Sequence, residues 1–188
     1  MADITSELLS KHRVPVDQSS GRSPASGPDP HLITVVELLF FAYRDFTREA
    51  DAALAELGLG RAHHRVLHFV NRNPGLRVAD LLEILKITKQ SLARVLKELL
   101  DQGWIEQKAG ERDRRQRLLH ATEKGAALAR RLDDLQAKRV AQALTQAGAG
   151  SDRATARFLF NMITREERGL VEALLPEPID EALALSRA

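Results

Sequence analysis

The sequence predicts a mainly α-helical fold with one β-hairpin, and three observations lead there. From His31 onward, apolar residues return every three or four positions over most of the chain, which is the period of helices with one buried face. Gly and Pro interrupt that pattern at Gly58, Gly60, Pro74, Gly75, Gly103 and Pro176, as they do where helices end. Between Trp104 and Thr122 the helical period gives way to two short extended runs around a polar, Gly-containing turn, the pattern of a hairpin.

Residues 1–30 hold clusters of Ser, Gly, Pro and Asp with no apolar period, which predicts a disordered tail. Leu32, Val36, Leu39, Phe40, Tyr43, Ala50, Leu54 and Leu57 then predict a long amphipathic helix closed by Gly58 and Gly60. A second helix starts at Arg61 and stops at "NPG", residues 73–75, because proline pushes its predecessor out of the helical region. Val78, Leu81, Leu82 and Leu85 mark a short third helix. After a break at Lys86-Ile87, the Thr88 hydroxyl is placed to cap a fourth, with Leu92, Val95, Leu96 and Leu99 inward and Gly103 as its stop.

"WIEQK" and "RQRLLHAT" are the two strands of the hairpin. Alternation along the second sets Arg115 and Arg117 on one side, with Arg114 near the turn. Glu123 to about Ala147 is helical. After "AGAGSD", one long last helix is expected from Ser151 or Asp152 through Phe158, Met162, Leu170 and Leu174. Pro176 and Pro178 end it, leaving 176–188 as a tail.

Composition narrows the function. The 188 residues include no cysteine, which excludes disulfides, thiolate metal sites and thiol-based redox sensing. No run has the length and uniform apolarity of a membrane span or a signal peptide, so a cytoplasmic protein is expected. There is no phosphate-binding Gly loop, nucleophile motif or convincing acid–base pair, and no enzyme is expected. Net charge is only +2, but it is unevenly spread. Residues 61–117 hold thirteen Lys and Arg against seven Asp and Glu, 13 − 7 = +6, so the remainder carries −4. A basic middle of this kind is the electrostatic footprint of nucleic-acid binding.

Two short helices across a tight break, followed by a hairpin, describe a winged helix-turn-helix over residues 61–125. In that arrangement the second helix enters the major groove and the hairpin, or wing, reaches the backbone or minor groove. Thr88, Lys89, Gln90, Ser91, Arg94 and Lys97 start or line the outward side of the reading helix. Gln suits adenine, Arg suits guanine, and Lys suits guanine or phosphate. Arg112, Arg114, Arg115 and Arg117 crowd the wing. Asp113 is placed to brace Arg115; Arg112, Arg114 and Arg117 are candidate phosphate contacts, or simply solvated. The first helix and the C-terminal helices have more apolar surface than a winged helix covers, which points to a second copy. Residues 31–60 and 126–175 are therefore the expected dimerisation helices of a homodimer.

The stretches "LLEILKITKQSLARVLKELLDQGWI" and "DRRQRLLHAT", followed by "EKG", together resemble the MarR family of bacterial winged-helix transcription regulators. Asp113, Arg115, Thr122 and Gly125 fall in the family's wing pattern, and Gly103 stands ten residues before Asp113 as its spacing requires; the family's Asp-x-Arg position makes Arg115 the candidate for the minor groove. The likeness covers residues 31–175. Ala121, Leu82 and Gln107 depart from the usual Leu, Ala and Arg. "HHRVLHFVNRNPGL" is similar, more narrowly, to an alphaproteobacterial subgroup labelled PetP. The resemblance implies a homodimeric, ligand-responsive repressor on a pseudo-palindromic operator in double-stranded DNA. It also implies a small-molecule effector, with no resident cofactor or metal.

His63, His64 and His68 lie on the second helix, with His64 and His68 four apart on one face. They are the candidate effector residues, because this helix borders the space where the family's ligands sit. Three other readings stay open: ordinary histidines, one in the core or dimer interface and another near a DNA phosphate or a ligand; a metal- or haem-responsive regulator built on the same histidines; and a winged-helix adaptor that binds protein instead of DNA.

Overall fold

The computed structural model describes residues 27–110 and 115–179. Among them are seven helices and three strands: α1 (Pro30–Ala55), α2 (Arg61–Arg72), β1 (Leu76–Arg77), α3 (Val78–Leu85), α4 (Lys89–Asp101), β2 (Ile105–Ala109), β3 (Arg117–Ala121), α5 (Glu123–Ala147), α6 (Ser151–Met162) and α7 (Arg165–Leu174). The chain divides within α1, between Leu38 and Leu39, into two units, and the hydrophobic core belongs to the second. Most of the tail expected over 1–30, and residues 180–188 of the one expected at the C-terminus, lie outside the described residues.

The core is aliphatic. Leu54 of α1, Val66, Leu67 and Val70 of α2, Leu81 of α3, Leu92 and Leu99 of α4, Ile105, Leu119 and Leu132 are all buried. The inward positions read from the sequence in α3 and α4 are thus largely the buried ones; Val78 and Leu82 are only partly covered. Thr88 caps α4 as expected: its Oγ1 accepts from the Ser91 N–H at 3.2 Å. The helix-turn-helix break is tight because Lys86, a non-glycine residue, takes the left-handed conformation (φ 50°, ψ 44°) and ends α3.

Two features differ from the sequence reading. The sheet has a third strand: β1 pairs antiparallel with β3, Leu76 opposite Leu119 and Arg77 opposite Leu118, giving the order β1-β3-β2. A two-residue strand is too short to show alternation. The expected single C-terminal helix is two, α6 and α7, separated by extended backbone at Ile163 and Thr164. Arg168 reaches back over the break, donating to the carbonyls of Ile163 and Asn161 at 3.1 Å each. These bonds satisfy acceptors that a helix end leaves open. The signal was Thr164 with Glu167 three residues on, the spacing of a helix start.

The wing is anchored at its base by one hydroxyl. Thr122 Oγ1 donates to the Gly103 carbonyl at 2.7 Å and accepts from the Gly125 N–H at 3.1 Å. Its own N–H donates to the Trp104 carbonyl at 3.2 Å. Gly103, with φ +69°, makes the turn out of α4 that presents those carbonyls. Gly125 is buried against them, and a Cβ there would lie 1.9 Å from the Trp104 oxygen.

Gly125→Ala should therefore destabilise the protein, although alanine favours a helix by about 1 kcal/mol. Forcing backbone apart in a packed site costs about 1–3 kcal/mol or more. A melting temperature equal to or above wild type, by circular dichroism, would show that the wing base is not tightly packed.

Candidate nucleic-acid interface

Helix α4 has two unlike faces. Leu92, Val95, Leu96 and Leu99 are buried, whereas Thr88, Lys89, Gln90, Ser91, Arg94 and Lys97 are all exposed. The structure thus brings the six helix candidates onto one solvent-facing surface. Within it the side chains are not equivalent. Thr88 and Ser91 are joined by a hydroxyl–hydroxyl bond of 2.9 Å and serve the cap. Lys97 pairs with Asp101, whose hydrogen bond raises the lysine's affinity for its proton. Arg94 is 81% exposed and lies 3.8 Å from Glu98. Lys89 and Gln90 have no hydrogen-bonding or ionic partner among the described residues.

The hairpin follows directly. Strands β2 and β3 pair antiparallel from Ile105 opposite Ala121 to Ala109 opposite Arg117. Only Ile105 of β2 is buried; Glu106, Gln107, Lys108 and Ala109 are exposed. Leu119 fixes β3 to the core. Arg117 is exposed at the first position of β3, and Arg115 is exposed in the turn before it. Arg115 is thus not on the strand, as alternation had placed it, because pairing begins only at Arg117. Arg112, Arg114 and the bracing residue Asp113 lie outside the described residues. The sequence reading overlooked Lys108, a cation on β2 beside Glu106 at 2.8 Å.

The three histidines separate. His63 turns toward α4: its Nδ1 accepts from the Gly60 N–H at 3.1 Å, and its Nε2 lies 2.7 Å from Glu98 Oε2. His64 and His68 turn the other way, into an open cleft of about 300 Å³ that Tyr43, Phe46, Arg61, Arg65, Phe69 and Gln136 also line. His64 is buried, which pushes its pKa below the ordinary value; the neighbouring His68 adds to this. His68 Nδ1 lies 3.0 Å from Asp133 Oδ1. Arg61 is held by Asp51 and sits over the Tyr43 ring, 5.4 Å from its centroid. Among the described residues no group of three or more His, Asp or Glu is placed to hold a metal ion. The aromatic and basic lining of the cleft, drawn from α1, α2 and α5, could not be read from any one stretch of sequence.

Comparison with known proteins agrees with this architecture. The MarR family model matches residues 57–116. The chain is 50% identical over 120 residues to the HTH-type transcriptional regulator PetP of Rhodobacter capsulatus, spanning 64% of this chain and 72% of that protein. It is 31% identical over 111 residues to the HTH-type transcriptional repressor Rv2887 of Mycobacterium tuberculosis, spanning 59% of this chain and 80% of that one. The crystal structure of Rv2887 in complex with p-aminosalicylic acid superposes with a TM-score of 0.51 and 27% identity, over 68% of this chain and 97% of that chain. Streptococcus pneumoniae FabT in complex with DNA shares the fold, with a TM-score of 0.63 and 18% identity over 77% of this chain and 99% of that chain. Since it folds as a winged helix-turn-helix and is half identical to PetP over most of that protein, the chain belongs to the MarR family of helix-turn-helix transcriptional regulators, with PetP as a relative.

Proposed function

We propose that the protein is a homodimeric, ligand-responsive repressor that binds a pseudo-palindromic operator in the cytoplasm. The observation that carries the DNA reading is the exposed polar face of α4 lying next in sequence to an exposed basic hairpin. In this reading residues 61–125 bind DNA. Lys89, Gln90 and Arg94 meet base edges, Thr88 and Ser91 set the helix start near a phosphate, and Lys97 adds charge. The wing supplies Arg117 to phosphate and Arg115 to the minor groove, with Arg112 and Arg114 as further wing cations. The relatives support it: Rv2887 is named a repressor, and FabT was crystallised with DNA.

The dimer reading, over residues 31–60 and 126–175, rests on uncovered apolar side chains. Phe40, Phe41 and Tyr43 of α1 are exposed, as are Leu32, Ile33, Val36 and Leu38 nearer its start. On α6, Phe158, Leu159 and Met162 are 44–57% exposed, and among the described residues none in α6 or α7 is buried. Helices this apolar are stable in water when a second copy covers them. The effector reading places a small aromatic carboxylate in the cleft beside His64 and His68, between the Tyr43, Phe46 and Phe69 rings. Rv2887, crystallised with p-aminosalicylic acid, supports that ligand class.

Alanine at Lys89, Gln90 or Arg94 should each relax preference at one base, by about 1–3 kcal/mol for a lost bidentate contact. A binding-site selection in which all three variants keep the wild-type motif would remove α4 from the groove. Arg115→Ala and Arg117→Ala should weaken binding and flatten the salt dependence, by roughly one unit of slope per lost ionic contact; unchanged slopes would reduce the wing to a solvated turn.

A Phe158→Glu/Met162→Glu variant should be monomeric by sedimentation and bind operator about 100-fold more weakly, since the second half-site then no longer engages intramolecularly. A dimer of wild-type affinity would place the interface elsewhere. Adding p-aminosalicylate should raise the melting temperature and release DNA from wild type but not from His68→Ala. If the two proteins respond alike, the ligand does not use this cleft.

A further inference from the structure

His63 is the one histidine of the three that does not enter the cleft, and its partners are unusual for an ordinary core residue. Its ring is almost wholly buried, its side chain 11% exposed. Because Nδ1 accepts from the Gly60 N–H, that nitrogen carries no proton, so the proton of the neutral ring sits on Nε2. Nε2 therefore donates to Glu98 Oε2 at 2.7 Å. The other carboxylate oxygen, Glu98 Oε1, faces Arg94 Nε at 3.8 Å. One carboxylate thus connects a buried, tautomer-fixed imidazole to the single, exposed guanidinium of α4.

We propose that His63 is a positioning residue for DNA reading: through Glu98 it aims Arg94, and so sets the base preference at the position Arg94 meets. The proposal rests on α4 being the reading helix. An exposed arginine on a four-bond stem samples many rotamers, and ordering it on binding costs entropy. A carboxylate four residues on restricts that search only if the carboxylate is itself fixed. Glu98 is 40% exposed, and alone it would wander as freely as the arginine. The buried His63 N–H pins one oxygen and leaves the other pointing along α4. Charge-assisted bonds of this kind fix direction as well as adding energy. Gly60 in turn holds the ring, so the chain of orientation runs from the start of α2 to the reading face.

Two substitutions at His63 separate its two nitrogens. Asn places an amide oxygen where Nδ1 lies, so His63→Asn keeps the acceptor for Gly60 and loses the donor to Glu98. Gln reaches to the Nε2 position, so His63→Gln keeps a donor for Glu98. Selection of binding sites from a randomised double-stranded DNA library with the full-length protein is the readout, alongside the melting temperature. His63→Asn and Glu98→Gln should each lower discrimination at the Arg94 base by about two- to fivefold, the range of a partly exposed ion pair, while His63→Gln keeps the wild-type motif. In an Arg94→Ala background, His63→Asn should change the motif no further. A merely structural His63 would lower the melting temperature and leave every base preference as it was, which overturns the proposal. Should His63→Asn fail to fold, Glu98→Gln decides: a wild-type motif there also overturns it. If Arg94→Ala itself leaves the motif unchanged, Arg94 reads no base and the proposal falls, while α4 keeps its reading as long as the Lys89 or Gln90 variant shifts the motif. If Arg94→Ala alone shifts the motif, the reading stands and only the role of His63 falls.

Discussion

The hydroxyl of Thr122 is the interaction on which the winged helix depends. It stands where three elements meet: the end of α4, the base of the wing and the first turn of α5. One oxygen donates to the Gly103 carbonyl and accepts from the Gly125 N–H, so it both caps α5 and closes the turn out of α4. Lys124 completes the join from outside, its ammonium 3.7 Å from the Trp104 ring centroid and bonded to the Gln102 carbonyl. An isolated two-stranded hairpin is marginal in water. Here its base is clamped to a helix on either side, and β1 borders β3. The outer part of the hairpin can then stand away from the core with its charges in solvent.

This join explains which parts of the fold were legible in the sequence. Gly103 is legible as the stop of α4, whereas Thr122 and Gly125 stand out only through the likeness to the family's wing pattern; each has a distinct physical role in the structure. Gly103 makes a left-handed turn, Thr122 supplies a hydroxyl that both donates and accepts, and Gly125 lies in the first turn of a helix where there is no room for a Cβ. The helix-turn-helix was legible for similar reasons, since the Thr88 cap and the Leu92–Leu99 period are local signals. What escaped was set by tertiary contact. β1 exists because Leu119 presents a free edge to Leu76. The α6–α7 break is satisfied by Arg168 folding back on its own helix end. Glu98 could have been noticed four residues after Arg94, but nothing local reveals that a histidine thirty-five residues earlier holds its other oxygen.

The charge pattern of the α4 face also becomes more specific than its composition. A count of cations treats Lys89, Arg94 and Lys97 alike. In the structure Lys97 is engaged by Asp101 and Arg94 stands near Glu98, while Lys89 and Gln90 at the helix start have no such companion among the described residues. Lys89 and Gln90, in the N-terminal turn of α4, are therefore the polar side chains of that face least committed to the protein itself. That turn is the part which enters the groove first in helix-turn-helix docking.

Helix α2 links the two candidate sites because of its period. Successive residues on a helix point about 100° apart, so His63 and His64 cannot serve the same face. His63 goes to α4 through Glu98, whereas His64, with His68 a turn later, goes to the cleft. Between them Arg65 donates to the Leu85 carbonyl at the end of α3, at 3.3 Å. One twelve-residue helix thus lines the cleft on one side and braces both helices of the helix-turn-helix on the other. A ligand changes DNA binding only by favouring one arrangement of the protein over another. A molecule seated against His64 and His68 contacts the same rigid element that holds α3 and α4, so even a small rotation of α2 would be felt at Glu98 and at the Leu85 carbonyl together.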